Sequence, residues 1–234
     1  MEKLRIDVWS DIVCPWCAIG KRRLEAALAL FPHRDSVEVV WRAFELDPKA
    51  PRVREGDHAT RIAAKYGLTK DDAEARIRHI SELAAQEGLD FQLERSRSGN
   101  TFDAHRLLVL AAARGVQDAV KERLFRAYLT EGEAIGEPEV LVRLAAEAGL
   151  DAEEARSVLA TDRYASEVRE EEAAAGTIGI RGVPFFLFDG ALAVSGAQPS
   201  EVILRALEQG WASATDRSDE PAPEASCGPD GCPT

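Results

Sequence analysis

The segment Leu4-Arg5-Ile6-Asp7-Val8-Trp9-Ser10-Asp11-Ile12-Val13-Cys14-Pro15-Trp16-Cys17 changes character halfway along. Leu4, Ile6 and Val8 alternate with Arg5, Asp7 and Trp9, the period of two expected of a β-strand. Two cysteines follow directly. Beyond them, Ile19 to Phe31 reads as a helix, with Leu24, Ala27, Leu28 and Phe31 on one face and Pro32 closing it. Val37 to Phe44, rich in Val, Trp and Phe, reads as a second strand. The opening is β-α-β with a Cys-x-x-Cys at the first strand-to-helix turn.

That placement gives the pair a chemistry. Pro15 fits the first helical turn, where its missing N–H removes nothing. Cys14 then sits at the helix N-terminus, beside orphan N–H groups and the positive dipole end. Both favour thiolate over thiol, so Cys14 is expected to have a lowered pKa and to attack disulfides. Cys17, one turn further in and more buried, is the expected resolving thiol, releasing a mixed disulfide formed on Cys14. Trp16 is expected to be exposed and to offer apolar surface to peptides. Lys21, Arg22 and Arg23 add positive charge on what reads as a solvated face.

Outward from this segment, residues 46–54 read as loop, with Pro48 and Pro51. From about Ala59 to Ala175 the chain is rich in Ala, Glu, Arg and Leu, strong helix formers, and glycines divide it into several helices. Thr69-Lys70-Asp71-Asp72 reads as an N-cap followed by an acidic first turn. So long a helical block between strands exceeds a crossover helix and reads as an inserted subdomain. Strand character returns at Val183 to Phe188. Asp189-Gly190 is a hairpin signal, Ala191 to Val194 the return strand, and Ser200 to Trp211 a final helix. Ala212 to Ser226 holds almost no large apolar residue and is expected to be disordered. No internal repeat is visible.

The composition narrows the function classes. The 234 residues are 45% hydrophobic and 30% charged, enough for a sizeable core. Lys and Arg number 29 against 41 Asp and Glu, a net −12, which disfavours nucleic-acid binding. No apolar run is long enough to span a membrane, and the start lacks an apolar signal core, so a cytoplasmic protein is expected. Only four cysteines occur, as Cys14/Cys17 and Cys227/Cys232, which is not the density of a secreted disulfide scaffold. Paired cysteines point instead to redox chemistry or metal binding. His33, His58, His79 and His105 show no ligand spacing and read as surface or capping residues. No cofactor and no permanent metal site are expected.

Together, Ser10-Asp11-Ile12-Val13-Cys14-Pro15-Trp16-Cys17, Asn100-Thr101-Phe102-Asp103-Ala104-His105-Arg106 and Gly179-Ile180-Arg181-Gly182-Val183-Pro184-Phe185-Phe186 resemble the DsbA-like branch of the thioredoxin superfamily, and within it the FrnE-type dithiol-disulfide oxidoreductases. The resemblance covers about Leu4 to Trp211. It implies an α/β thioredoxin fold (residues 1–55 and 170–211), a large all-helical insertion (56–169) and a flexible tail (212–234). It also implies a cis peptide before Pro184, with Val183 and Pro184 facing the cysteines and pairing with substrate backbone. Members of the superfamily often bury an acid beneath the motif. Asp7 is the candidate for that proton acceptor, one residue further from the motif than usual, while Asp11 reads as a turn residue.

The activity implied is oxidoreductase or isomerase chemistry on protein disulfides, during oxidative stress or in reduction. The helical insertion and Trp16 are expected to form an apolar groove that holds unfolded chains, so a holdase function is expected beside it. Partners would be disulfide-containing or unfolded proteins and an unknown electron donor. The alternatives are a glutathione-dependent kappa-type transferase or isomerase, which uses serine where Cys14 stands, and a non-catalytic redox-regulated chaperone. Cys227 and Cys232 depart from the usual pattern. Gly228-Pro229-Asp230-Gly231 reads as a type I turn that brings them into disulfide range. A flexible tether from Trp211 has an r.m.s. span of roughly 20–24 Å, so the pair is expected to relay to, or guard, Cys14 and Cys17. Transient binding of a thiophilic metal by the four thiolates is the further expectation.

Overall fold

The computed structural model describes residues 3–218. Strand β1 (Leu4–Ser10) leads through a tight turn into α1 (Pro15–Leu30), and β2 (Val37–Ala43) returns parallel to β1. Next come α2 (His58–Tyr66), α3 (Lys70–Gln86), α4 (Phe102–Ala113), α5 (Gln117–Arg126), α6 (Pro138–Glu147), α7 (Ala152–Leu159) and α8 (Ala165–Ile178). The chain closes with β3 (Phe185–Phe188), β4 (Leu192–Ser195) and α9 (Ser200–Ser218). The sheet order is β2-β1-β3-β4, with β3 antiparallel to both β1 and β4.

Strand alternation sets the layers. Leu4, Ile6 and Val8 join Phe186 and Phe188 under Leu24, Ala27 and Leu207, so α1 and α9 cover this face. Trp9 and Phe185 point the other way, onto Ala175 and Ile180 at the end of α8. Glu171 fixes that helix: it accepts from Arg42 at 2.6 Å and from the Ala43 amide at 2.7 Å. The boundary expected at residues 169/170 therefore falls inside α8, a continuous helix that roofs the sheet.

The insertion is not a separate core. Ile12, Cys14, Cys17, Ala18 and Ile19 pack with Leu107, Leu110, Leu124 and Leu141 in one cluster. Ion pairs reinforce the seam. Lys21, only 3% exposed, meets Glu25, and Asp118 and Glu122 at 3.2 Å; Arg23 holds Glu87 at 2.6 Å. The face expected to be solvated is thus the joint between α1 and the ends of α3 and α5. It carries acids from both sides that sequence periodicity on α1 cannot show.

Local signals behave as their chemistry dictates. Thr69 caps α3 by accepting from the Asp72 amide, and Asp189 and Gly190 both take positive φ in the hairpin. Helix α1 begins at Pro15, four residues before the apolar periodicity becomes clear. Helix α9 continues seven residues past Trp211, so 212–218 are helical where disorder was expected. Ala212 and Ala214 are good helix formers and suit this extension. The remainder of the tail, with Cys227 and Cys232, lies outside the described residues.

Candidate active site

Cys14 is the N-cap of α1 and Pro15 its first residue, as the local sequence requires. The turn is pinned by Cys14 N–H to the Asp11 carbonyl (3.2 Å) and Cys17 N–H to the Cys14 carbonyl (3.0 Å). Both thiols are free. Cys14 is 5% exposed and Cys17 is fully buried. The Val183–Pro184 peptide is cis, and the Val183 carbonyl accepts from the Cys14 thiol at 3.6 Å. Close seating of this loop depends on Gly20, where a Cβ would meet Pro184 Cγ at 2.8 Å. Trp16 is 39% exposed, as expected.

Beneath the motif lies a buried polar cluster. Asp11 is 1% exposed; one carboxylate oxygen accepts from the Leu46 amide at 2.8 Å and the other lies 3.5 Å from His105 Nε2. Lys121, from α5, has no exposure at all. Its ammonium donates to the Ser10 carbonyl at 3.4 Å and faces the rings of Phe125 (5.0 Å) and Trp41 (5.6 Å). Burial pulls the Lys121 pKa down to about 8 against the attraction of Cys17, Asp11 and Cys14. Burial also works against the Asp11 carboxylate, but His105, the Leu46 amide and Lys121 outweigh it and hold its pKa below the usual range.

The thiols ionise as a pair. Burial opposes charge on Cys17, yet the Cys14 thiol, Lys121 and the Ser10 hydroxyl together lower its pKa. Cys14 is pushed well up, first by its hydrogen bond to Cys17 and then by burial. The first negative charge of the resting dithiol therefore sits on the inner sulfur, facing Lys121. The helix terminus alone implied the reverse. Cys14 nevertheless remains the sulfur on the cavity wall.

Asp7 is engaged elsewhere. Its carboxylate accepts from Arg42 at 2.7 Å and Arg5 at 2.9 Å, within the network that ties β1 and β2 to α8. The acid beside the thiols is Asp11, read from sequence as a turn residue. Its backbone does make the turn, and its side chain is buried as well. His105 and His58 are likewise buried rather than at the surface; His58 meets the Ser96 hydroxyl at 2.9 Å, and burial holds its pKa down to about 4.

Cys14 opens on a cavity of about 830 Å³. Its walls are the 46–54 loop, α2, α3 and residues 181–183, so the thioredoxin-like part and the insertion build it together. Among the described residues no cluster of metal-ligating side chains occurs, and no helix is long and apolar enough to cross a membrane.

Comparison with known proteins places this geometry. A probable DsbA oxidoreductase from Streptomyces coelicolor is 46% identical, with each chain covered to 99% and a TM-score of 0.88. The uncharacterised protein YwbO of Bacillus subtilis is 27% identical over 216 residues, 87% of this chain and 96% of the relative. The cytosolic disulfide reductase DsbM from Pseudomonas aeruginosa, solved with GSH, shares the fold at 17% identity and a TM-score of 0.60, over 92% of this chain and all of the other. The DSBA-like thioredoxin domain matches residues 5–208, and the chain belongs to that family.

Proposed function

We propose that this chain is a FrnE-type thiol-disulfide oxidoreductase and isomerase acting on protein disulfides. The observation that carries the reading is the placement of Cys14 on a cavity wall against the Val183 carbonyl, with Cys17 buried behind it beside a lysine. Cys14 attacks a substrate disulfide, its proton passing to the Cys17 thiolate as substrate displaces the thiol–thiolate hydrogen bond. The departing substrate sulfur takes a proton, and Cys17 then closes on Cys14 to free the second half. Val183 and Pro184 align the substrate, and Trp16 supplies apolar contact. That exposed ring also supports holdase binding of unfolded chains. A cytoplasmic setting and an electron-donating redox partner belong to the same reading.

The tail pair enters as an auxiliary relay, within a limit set by chain length. Helix α9 starts beside the active-site end of the sheet and runs away from it for 19 residues, about 28 Å. From Ser218, Cys227 reaches back at most roughly 30–32 Å when fully extended. Cys232 has five residues more, so it is the better placed of the two to reach Cys14 of its own chain.

Insulin-disulfide reduction with dithiothreitol tests the function. Cys14→Ala is expected to fall to the rate of dithiothreitol alone, and an unchanged rate would contradict the oxidoreductase reading. A chain ending at Ser218 keeps every described element; a changed rate there supports a part for the tail pair in the cycle, and an equal rate removes it.

A further inference from the structure

The cavity at Cys14 has a charge that the chain as a whole does not. Arg54, Arg61, Lys65, Arg76 and Arg181 line it. Only two carboxylates do so: Asp47, which pairs with Arg54, and Asp11, buried against His105 and the Leu46 amide. His58, on the same wall, is held neutral by burial. Five cations against two anions stand out on a chain of net −12.

Four of the five have no carboxylate partner among the described residues. Arg61 spends its guanidinium on the Gly56 and Ser96 carbonyls, and Lys65 lies over the Tyr66 ring. Arg76 and Arg181 make no ion pair with any described residue. Elsewhere arginines are commonly matched: Arg114 with Glu154, Arg143 with Glu133 and Glu147, Arg123 with Glu131 and Glu147. A concentration of unmatched cations around one concave surface raises a positive potential inside it and favours an anionic occupant.

The backbone says what form that occupant takes. The N–H groups of Arg181, Gly182 and Val183 have no hydrogen-bond partner among the described residues, and this segment forms the cavity edge leading into β3. Gly182 and Val183 bend just ahead of the strand, and their unpaired N–H groups offer ladder positions to an extended segment. Trp16 and Tyr66, 39% and 56% exposed, give apolar contact at the same mouth.

From this combination we infer that the site selects protein segments whose disulfide-forming cysteine is flanked by acidic residues. The inference rests on the oxidoreductase reading and names its substrate class. The reaction is balanced within the reduced protein. The Cys14 sulfur bonds to one substrate sulfur as the substrate S–S bond breaks, and the leaving thiolate takes a proton. Cys17 then forms the Cys14–Cys17 disulfide and releases the second thiol. The substrate gains the two electrons that the protein dithiol loses.

The test uses the full-length, pre-reduced protein in single turnover. Three peptide homodisulfides are compared, identical except that Cys is flanked by Glu, Ser or Lys, each rate being divided by that of dithiothreitol on the same peptide. The expected result is a Glu-over-Lys preference of about tenfold at low salt, shrinking as salt is raised. The sign is diagnostic, because the net charge of the whole chain would favour the Lys peptide. Replacing Arg76 and Arg181 together (Arg76→Glu, Arg181→Glu) is expected to collapse the ratio, with circular dichroism confirming the fold. Equal rates for all three peptides, or a Lys preference, would overturn the inference while leaving the oxidoreductase reading intact. Failure to reduce any peptide would overturn that reading itself. Faster reduction of glutathione disulfide than of the Glu peptide would assign the basic cavity to small acidic thiols and overturn the peptide assignment.

Discussion

Lys121→Met is expected to stabilise the protein and to impair its chemistry. Lys121 is fully buried with one long hydrogen bond, to Ser10, and two aromatic rings for company. Its pKa falls from 10.5 to about 8, a penalty of about 3 kcal/mol on holding the charge at neutral pH. Methionine keeps much of the volume and removes the charge, so a gain on the order of 1–3 kcal/mol is expected. The gain is larger in the disulfide form, where no thiolate compensates the ammonium.

The pH dependence has a definite sign. The lysine is a base with its folded pKa below its unfolded value. Between about pH 8 and 10.5 the unfolded chain holds a proton that the folded chain has lost, so wild-type stability rises with pH across that window. In Lys121→Met that rise disappears; denaturant melts at several pH values read it directly, the window opening at a still lower pH in the disulfide form, where no thiolate supports the ammonium.

The chemical loss comes from the other half of the coupling. Without the ammonium, Cys17 loses a cation that lowers its pKa, while Asp11 remains. Thiolate formation, followed by absorbance at 240 nm, is expected to move to higher pH. The reduced form is then less favoured, and the reduction potential falls by roughly 30 mV for each unit by which the thiolate pKa rises. An unchanged thiolate titration would show that Lys121 is only a stability defect and has no part in setting the dithiol.

Gly136→Ala is expected to damage the cavity from a distance. The Arg52 carbonyl lies across two glycines: a Cβ at Gly136 would sit 1.9 Å from that oxygen, and one at Gly99 2.0 Å from it. Backbone cannot yield as a flexible side chain can. The 46–54 loop would lift, taking with it Leu46, Asp47 and Arg54 of the cavity wall. The strain is expected to cost about 1–3 kcal/mol and to raise KM for protein disulfides more than it lowers kcat. Gly176→Ala is the matched control. That position in α8 has nothing within 4 Å of a new Cβ, so the change is expected to be neutral or stabilising by up to about 1 kcal/mol. Thermal melts and insulin kinetics on both variants separate a close-packed glycine from an open one.

Lys121 and its buried neighbours also show where a sequence stops being legible. The β-α-β opening, the cysteine pair at a helix start and the hairpin at Asp189-Gly190 are local, and local chemistry is readable from neighbours along the chain. The buried cluster is not local. Asp11 and His105 stand in two of the stretches that carry the family resemblance, so their meeting had a signal, but a turn aspartate and a capping histidine are the commoner readings of such residues. Lys121 had none. In Asp118-Ala119-Val120-Lys121-Glu122-Arg123 it looks like one more charge on a solvated helix, and only the approach of α5 to β1 buries it. Lys21 reads as solvated for the same reason: Asp118 and Glu122, which neutralise it, come from a helix nearly a hundred residues away. The Asp7 assignment rests on the family's placing of a buried acid on the preceding strand, one residue off the usual spacing, whereas Arg42 on the neighbouring strand, two residues beyond the register partner of Asp7, claims its carboxylate.

In the proposed function Cys14 forms a covalent bond to substrate and Cys17 resolves it. The most direct measurement is intact mass, with peptide mapping, of Cys17→Ala after incubation with insulin and alkylation of remaining thiols. The expected product is a disulfide joining an insulin chain to Cys14, which the Cys14→Ala, Cys17→Ala double variant fails to form. No adduct, or an adduct on Cys227 or Cys232 with Cys14 recovered alkylated, would contradict the account.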